Sequence, residues 1–322
     1  MKQKRWKIKR FCLVFCFIII FLLGIGICIF LNSKRYYSPQ YNSNYITGIN
    51  IINIVNKDIK NKYQFVFLSD LHASILDENE KDEQIKKFLI ERRNLFASSN
   101  PNNCSVEEIF EEIINYTNNS KADALLLSGD IIDSPANSNI NFLRQNLKNL
   151  KTKYLYTLGN HDWSFAWEYH TQETKETFRP KFNEFMDNLE VSYLEYKDLI
   201  ILAIDDSTNQ ISESSLEKIK NILEKNKPTI VMLHVPINTE YIKEETLKIR
   251  NRESSIGGSG IKIEESIQKA IDMILSEKYK VFYIISGHIH INLQDKIGAK
   301  NIPEVISAPA YEGKINLIKI NN

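Results

Sequence analysis

Cysteine is almost missing from the body of this chain. Cys12, Cys16 and Cys28 fall within the first 30 residues, and only Cys104 follows. The body therefore has no internal disulfide and no cysteine-based zinc site. A surplus of either charge is missing too. The 41 Lys and Arg stand against 40 Asp and Glu, a formal net charge of +1. Nothing in that balance indicates a nucleic-acid partner. With 43% hydrophobic and 25% charged residues, the composition is globular and not disordered. There is no internal repeat and no long low-complexity tract. A chain of 322 residues accommodates one α/β domain and an appendage.

The appendage is N-terminal. Residues 11–31, FCLVFCFIIIFLLGIGICIFL, run for 21 residues without a charge. About 20 such residues span a bilayer core as a helix. The preceding MKQKRWKIKR holds six Lys or Arg in ten positions. That bias keeps the basic end in the cytoplasm and exports the body, and Lys34 and Arg35 weaken it without reversing it. A cleaved signal peptide has a shorter apolar core and a small-residue A-x-A-like site, and GICIFLNSK offers none. The expected organisation is a basic cytoplasmic tail over 1–10, a transmembrane helix over 11–31, a polar linker over 32–44 and a domain over 45–322. The expected location is the cell membrane, single-pass, with the domain outside the cytoplasm.

Along the body, β-rich runs alternate with amphipathic helical patterns. KYQFVFLSD, ADALLLSGD, KYLYTLGN, PTIVMLHV and KVFYIISGH read as strands. EVSYLEY and DLIILAIDD read as a strand pair, and PEVISAP and KINLIKI as two late strands. Helices are expected over DEQIKKFLIERRNLF, over SVEEIFEEIINYTNN with a Ser105–Glu108 capping box, and over 139–150, 173–188, 238–250 and 264–277. Alternation of this kind gives a largely parallel sheet core, and the strand pairs make the sheets mixed.

The polar residues fall where the strands stop. Of the six histidines, His72, His161, His234, His288 and His290 follow strand-like runs within a few residues. The run LLLSGD ends likewise in Asp130. In α/β sheets, ligands bind beyond the carboxyl ends of the strands, so the repetition points to one shared site. Asp70, His72, Asp130, Asn160, His234, His288 and His290 offer carboxylate, imidazole and amide oxygen, a donor set for first-row transition metals. Seven donors are too many for one ion and suit two that share a carboxylate. Two metals about 3.5–4 Å apart can clamp the attacking and leaving oxygens of a phosphoryl transfer. Glycines precede Asp130, Asn160 and His288 and are expected to let the backbone turn sharply there.

In order, the motifs are Asp70-Leu71-His72, Gly129-Asp130, Gly159-Asn160-His161-Asp162, His234 and Gly287-His288-Ile289-His290. This series resembles the calcineurin-like metallophosphoesterase superfamily, over roughly residues 60–320, and the chain looks like a membrane-anchored bacterial member. The resemblance implies a sandwich of two mixed β-sheets flanked by helices. It implies one metal held by Asp70, His72, Asp130 and His290, and a second by Asp130, Asn160, His234 and His288. The ions would be Mn, Fe or Zn. His161 would contact the phosphate or the leaving group, and Asp162 would orient it. The implied activity is hydrolysis of a phosphoester by in-line attack, without a phosphoenzyme. The alternatives are a pyrophosphate hydrolase acting on nucleotide-sugar or lipid-linked substrates, and a scaffold of the same fold without catalysis. The scaffold reading is disfavoured because no ligand position is lost.

Sixty residues separate Asp70 from Asp130, more than is common in that superfamily, and 77–105 is expected to be a longer helix and loop rather than part of the site. His170 is expected at a rim, and Trp163, Phe165 and Trp167 in packing rather than in a pocket. Asp205 and Asp206 also end a strand without belonging to a motif. Arg250 and Arg252 stand beside the GGSG segment and are expected in a solvated loop, with a phosphate lid as the other reading.

Overall fold

The computed structural model describes residues 43–251, 254–256 and 263–321. The apolar run 11–31, most of the linker, Arg252 and the GGSG segment lie outside the described residues. No helix among the described residues is long and apolar enough to cross a membrane.

Two mixed sheets form the centre. The first runs β1 (Gly48–Val55), β11 (Lys314–Asn321), β2 (Tyr63–Leu68), β3 (Ala124–Ser128), β4 (Lys153–Thr157). Within it β2, β3 and β4 are parallel, and β11 lies antiparallel to β2 and parallel to β1. The second runs β5 (Val191–Glu195), β6 (Ile200–Ile204), β7 (Thr229–Met232), β8 (Val281–Ser286), β10 (Ile302–Ile306), β9 (Leu293–Ile297). Its middle strands are parallel, and β5 and β9 close its edges antiparallel.

Side chains alternate across each strand, and that alternation builds four layers. Phe65 and Phe67 of β2 face the second sheet's Ile201, Ile230 and Ile285 in the inter-sheet core. Val66 and Leu68, one residue out of phase, face Ile109, Phe110 and Ile113 of α2 (Val106–Asn119) and Leu143 of α3 (Asn137–Lys148). On the far side, Leu202, Val231 and Ile284 meet Leu216 and Ile219 of α5 (Glu213–Leu223) and Ile267 and Ile274 of α7 (Glu265–Leu275). Each fully buried aliphatic or Phe side chain contributes about 1.5–3 kcal/mol relative to exposure.

Most expected elements are present. The capping box is formed: Ser105 Oγ accepts from the Glu108 N–H, and Glu108 reaches back to the Ser105 N–H. The 173–188 helix is shorter than expected. It is α4 (Gln172–Phe178) followed by a 3-10 turn over Arg179–Phe182, because Pro180 lacks the amide hydrogen that the α-helix needs. Strand β9, LQDKI, was not anticipated. It is an edge strand paired only to β10, with Gln294 and Lys296 in solvent, so its apolar content is low. Two rim helices complete the domain: α1 (Glu83–Ser99), inside the long interval between Asp70 and Asp130, and α6 (Glu240–Arg250).

Candidate metal centre

Every strand that carries a candidate ligand delivers it at its C-terminal end. Asp70 and His72 follow β2, Asp130 follows β3, Asn160 follows β4, His234 follows β7, and His288 and His290 follow β8. The turns are tight. Asp70, His72, Asp130, His288 and His290 have φ of +57°, +51°, +53°, +67° and +53°, the left-handed region. Of the three glycines expected to supply sharp turns, only Gly129 has positive φ, +79°. Gly159 and Gly287 are required by space instead. A Cβ on Gly159 would lie 2.2 Å from Asp130 Oδ1, and one on Gly287 would lie 1.7 Å from Ser69 Oγ.

The donor atoms converge on two points. At the first, His72 Nε2 and His290 Nε2 are 3.0 Å apart, and Asp70 Oδ1 lies 3.1 Å from His290 Nε2. At the second, His234 Nε2 and His288 Nδ1 are 3.2 Å apart. Asp130 Oδ2 belongs to both, 3.8 Å from His72 Nε2 and 3.3 Å from His234 Nε2. Asp70, His72, Asp130 and His290 thus form one group that can hold a metal ion, and Asp130, His234 and His288 another. Two buried oxygens, Asp70 Oδ1 and Asn160 Oδ1, have no hydrogen-bond donor. Buried acceptors of this kind are normally satisfied, so orphans at this position fit a cation. The remaining atoms of the ligands are tied down. His234 Nδ1 donates to the Ser128 carbonyl at 2.8 Å, His72 Nδ1 to Asp133 Oδ1 at 2.7 Å, and Tyr311 Oη meets His290 Nδ1 at 3.2 Å. Such bonds fix each tautomer and aim the other ring nitrogen at the metal position.

The electrostatics agree. Burial lowers His234, but Asp130 and Asp70 outweigh it and push the imidazole up to about 10. Burial and the neighbouring His234 push His288 down to about 3. The carboxylates thus draw positive charge to the point where the two rings meet.

One assignment is corrected. Asp162 does not orient His161. Its carboxylate is buried and accepts from five donors: the N–H groups of Gly159, Asp130, Ile131 and Ile132, at 2.7–3.0 Å, and Tyr156 Oη at 2.7 Å. It binds the β3 loop to the β4 loop. Neighbours in so tight a turn project in different directions, and His161 turns to Asp133, with Nδ1 3.2 Å from Oδ1. Asp133 therefore serves two imidazoles, His72 and His161. Burial pushes its carboxyl up, but hydrogen bonds from Arg92, His161 and His72 outweigh that and hold it well below the usual range. His161 is half-buried, and its backbone N–H donates to Asp130 Oδ1 at 2.8 Å. Burial lowers its imidazole, while Asp130 and Asp133 raise it by more. The sequence signal for Asp133 was present as the second acid of GDIID.

Asp206 does for the His234 turn what Asp162 does for the β3 loop. It accepts from the N–H groups of His234 and Val235 at 3.0 and 3.1 Å, and burial pushes it up to about 7. Asp205 pairs in the interior with Lys175 at 2.5 Å.

A cavity of about 1150 Å³ opens over the two points, with Arg92, Phe96, His161, His170, Arg250 and Tyr311 in its wall. Two of these residues come from α1, so the long interval between the first two motifs is part of the site, contrary to the expectation for 77–105. Phe96 stacks on the His72 ring at 4.6 Å. His170 is exposed at the edge, 3.5 Å from Asn160 Nδ2. Trp163 and Phe165 are buried in packing, and Trp167 stacks on Phe165 at 4.8 Å; none of the three lines the cavity. Arg250 lines it from the end of α6.

A carboxylate–imidazole cluster with two centres, at the strand ends of a two-sheet sandwich, defines a metal-dependent phosphoester hydrolase. The chain belongs to the calcineurin-like phosphoesterase family, whose profile matches residues 63–292. Among solved structures, a dimetal phosphatase from Danio rerio is 11% identical, with 78% of this chain and 88% of that one covered and a TM-score of 0.48. The purple acid phosphatase PPD1 from yellow lupin is 13% identical, with 81% and 44% covered and a TM-score of 0.46. The phosphopantetheinyl hydrolase of Mycobacterium tuberculosis is 11% identical, with 78% and 91% covered and a TM-score of 0.38. No curated protein matches the chain.

Proposed function

We propose that the protein is a membrane-anchored phosphoester hydrolase that acts outside the cytoplasm through two metal ions. Asp70, His72, Asp130 and His290 hold one ion, and Asp130, Asn160, His234 and His288 hold the other. The observation that carries this is Asp130 Oδ2, which faces both donor groups at once, with the orphaned Asn160 and Asp70 oxygens beside it. The donors are nitrogen and oxygen without sulfur, which suits Mn, Fe or Zn. When bound, the metals supply the nucleophile at neutral pH and offset charge on the phosphoryl oxygens.

The protein's own groups do the rest. Asp130 keeps Oδ1 on the His161 N–H, so Oδ2, the oxygen that would serve both ions, cannot rotate away from the two donor groups. His161, held at Nδ1 by Asp133, lines the cavity and donates a proton to the leaving oxygen. Phe96 and Asp133 together fix the His72 ring.

The membrane part rests on the basic first ten residues, the apolar 11–31 and the lack of a cleavage site. The test is a panel of phosphomonoesters, diesters and pyrophosphates with the detergent-solubilised full chain, and metal analysis on the same sample. Turnover that depends on about two metals per chain is expected. A metal-free preparation with full turnover rules the reading out.

A further inference from the structure

Helix α1 brings a cation to the cavity that no motif requires. Arg92 grips Asp133 with Nε and with Nη2, the latter 2.9 Å from Oδ1. Its Cζ lies 4.8 Å from the Phe96 ring and 5.9 Å from the Phe88 ring. The guanidinium is thus fixed by a two-point fork and two aromatic rings, which leaves little freedom to lose on binding. The fork uses Nε and Nη2. No hydrogen bond from Nη1 to protein occurs among the described residues, and 24% of the side chain is exposed, in the cavity wall. Asp133, for its part, already accepts from His72 and His161. Arg92 therefore stands beside His161, on the carboxylate they share, with donors to spare.

We infer that Arg92 is a substrate-binding residue that selects phosphate monoesters over diesters. The inference rests on the proposed two-metal hydrolase. A monoester has three non-bridging oxygens and a diester two. Where two oxygens face the donor groups of the metal centre, the third meets Arg92 as a charged hydrogen bond. In a diester an uncharged ester arm takes that place, and the guanidinium has nothing to bind.

The test compares 4-nitrophenyl phosphate with bis(4-nitrophenyl) phosphate in the parent, Arg92→Ala and Arg92→Lys, with phosphate affinity of each metal-loaded protein measured by calorimetry. For Arg92→Ala, kcat/KM on the monoester is expected to fall about 10- to 100-fold, the usual worth of a charged hydrogen bond. The diester is expected to change by less than about 3-fold, and phosphate binding to weaken in step with the monoester. Arg92→Lys keeps the charge beside Asp133 but loses the fork, and is expected to fall between the two. Equal losses on both esters would show that Arg92 only supports Asp133, and unchanged phosphate affinity would also overturn the inference. A parent that holds two metals yet hydrolyses neither ester counts against the hydrolase reading alone, and the phosphate titration then still decides for or against Arg92.

Discussion

Asp70, His72, Asp130, His288 and His290 hold a backbone conformation that costs a non-glycine residue about 1–2 kcal/mol. Strain of this kind persists only where the surroundings over-determine it. Here buried carboxylates do so at two of the five, Asp162 accepting from the Asp130 N–H and Asp70 Oδ2 from the His288 N–H. Two carboxylates can therefore be told apart by experiment. Asp162→Asn puts an amide among five donors, and a stability loss of about 3 kcal/mol or more is expected, seen as a lower melting temperature. Asp133→Asn is expected to resemble His161→Gln. Both should lose about 10²–10⁴ in kcat on esters with poor leaving groups and little on nitrophenyl esters when saturated with metal. His161→Gln should retain its metals, while Asp133→Asn, which also releases the His72 ring, should bind metal about 10- to 100-fold more weakly. Loss of metal from His161→Gln would make that residue a ligand. An Asp162→Asn protein with parental stability but the kinetics of His161→Gln would restore the orienting role to Asp162. The seven proposed ligands were legible because six follow an apolar run directly after a Gly, Ser or Leu, and His290 stands two residues beyond His288. The partner of His161 was not, since adjacency in the chain says little about direction in a left-handed turn. Arg92 carried no local signal, because its contacts come from how α1 packs.

Elements with strong periodicity were equally legible. β3 is buried at all five positions and apolar at the first four, and α2 carries its own capping box. The edge strand β9 and the Pro180 break depended on context. The β5–β6 turn shows how a loop carboxylate joins the two sheets. Asp198 accepts from Tyr63 Oη at 2.6 Å, from the Lys60 and Asn61 N–H groups at 2.6 and 3.1 Å, and from Asn61 Nδ2 at 2.9 Å. Burial opposes its ionisation, but these bonds outweigh it and lower the carboxyl to about 2. A folded pKa below the unfolded one stabilises the fold at pH above the unfolded value, near 4, and the contribution is lost as pH falls toward 2. Asp198→Asn should therefore melt lower than the parent at pH 7, with the difference shrinking as pH is taken from 5 to 3. A difference independent of pH would mean that the lost stability does not come from ionisation of the Asp198 carboxyl.

At the scale of the molecule, the proposed ligands come from both sheets: β2, β3 and β4 supply Asp70, His72, Asp130 and Asn160, while β7 and β8 supply His234, His288 and His290. Metal binding thus couples to the packing of one sheet on the other, and a chelator is expected to lower the melting temperature as well as the activity. The proposed anchor is a separate matter. Protease added to intact protoplasts is expected to digest the region after residue 45, and protection of that region would reverse the proposed orientation. The central claim is that Asp130 joins two metal ions in one phosphoesterase site, and metal stoichiometry tests it most directly. Apoprotein titrated with Mn, Fe or Zn should gain activity up to about two equivalents, and Asp130→Asn should bind clearly fewer and stay inactive. Saturation at one equivalent, or an Asp130→Asn protein that still takes up two ions and turns over, would contradict it.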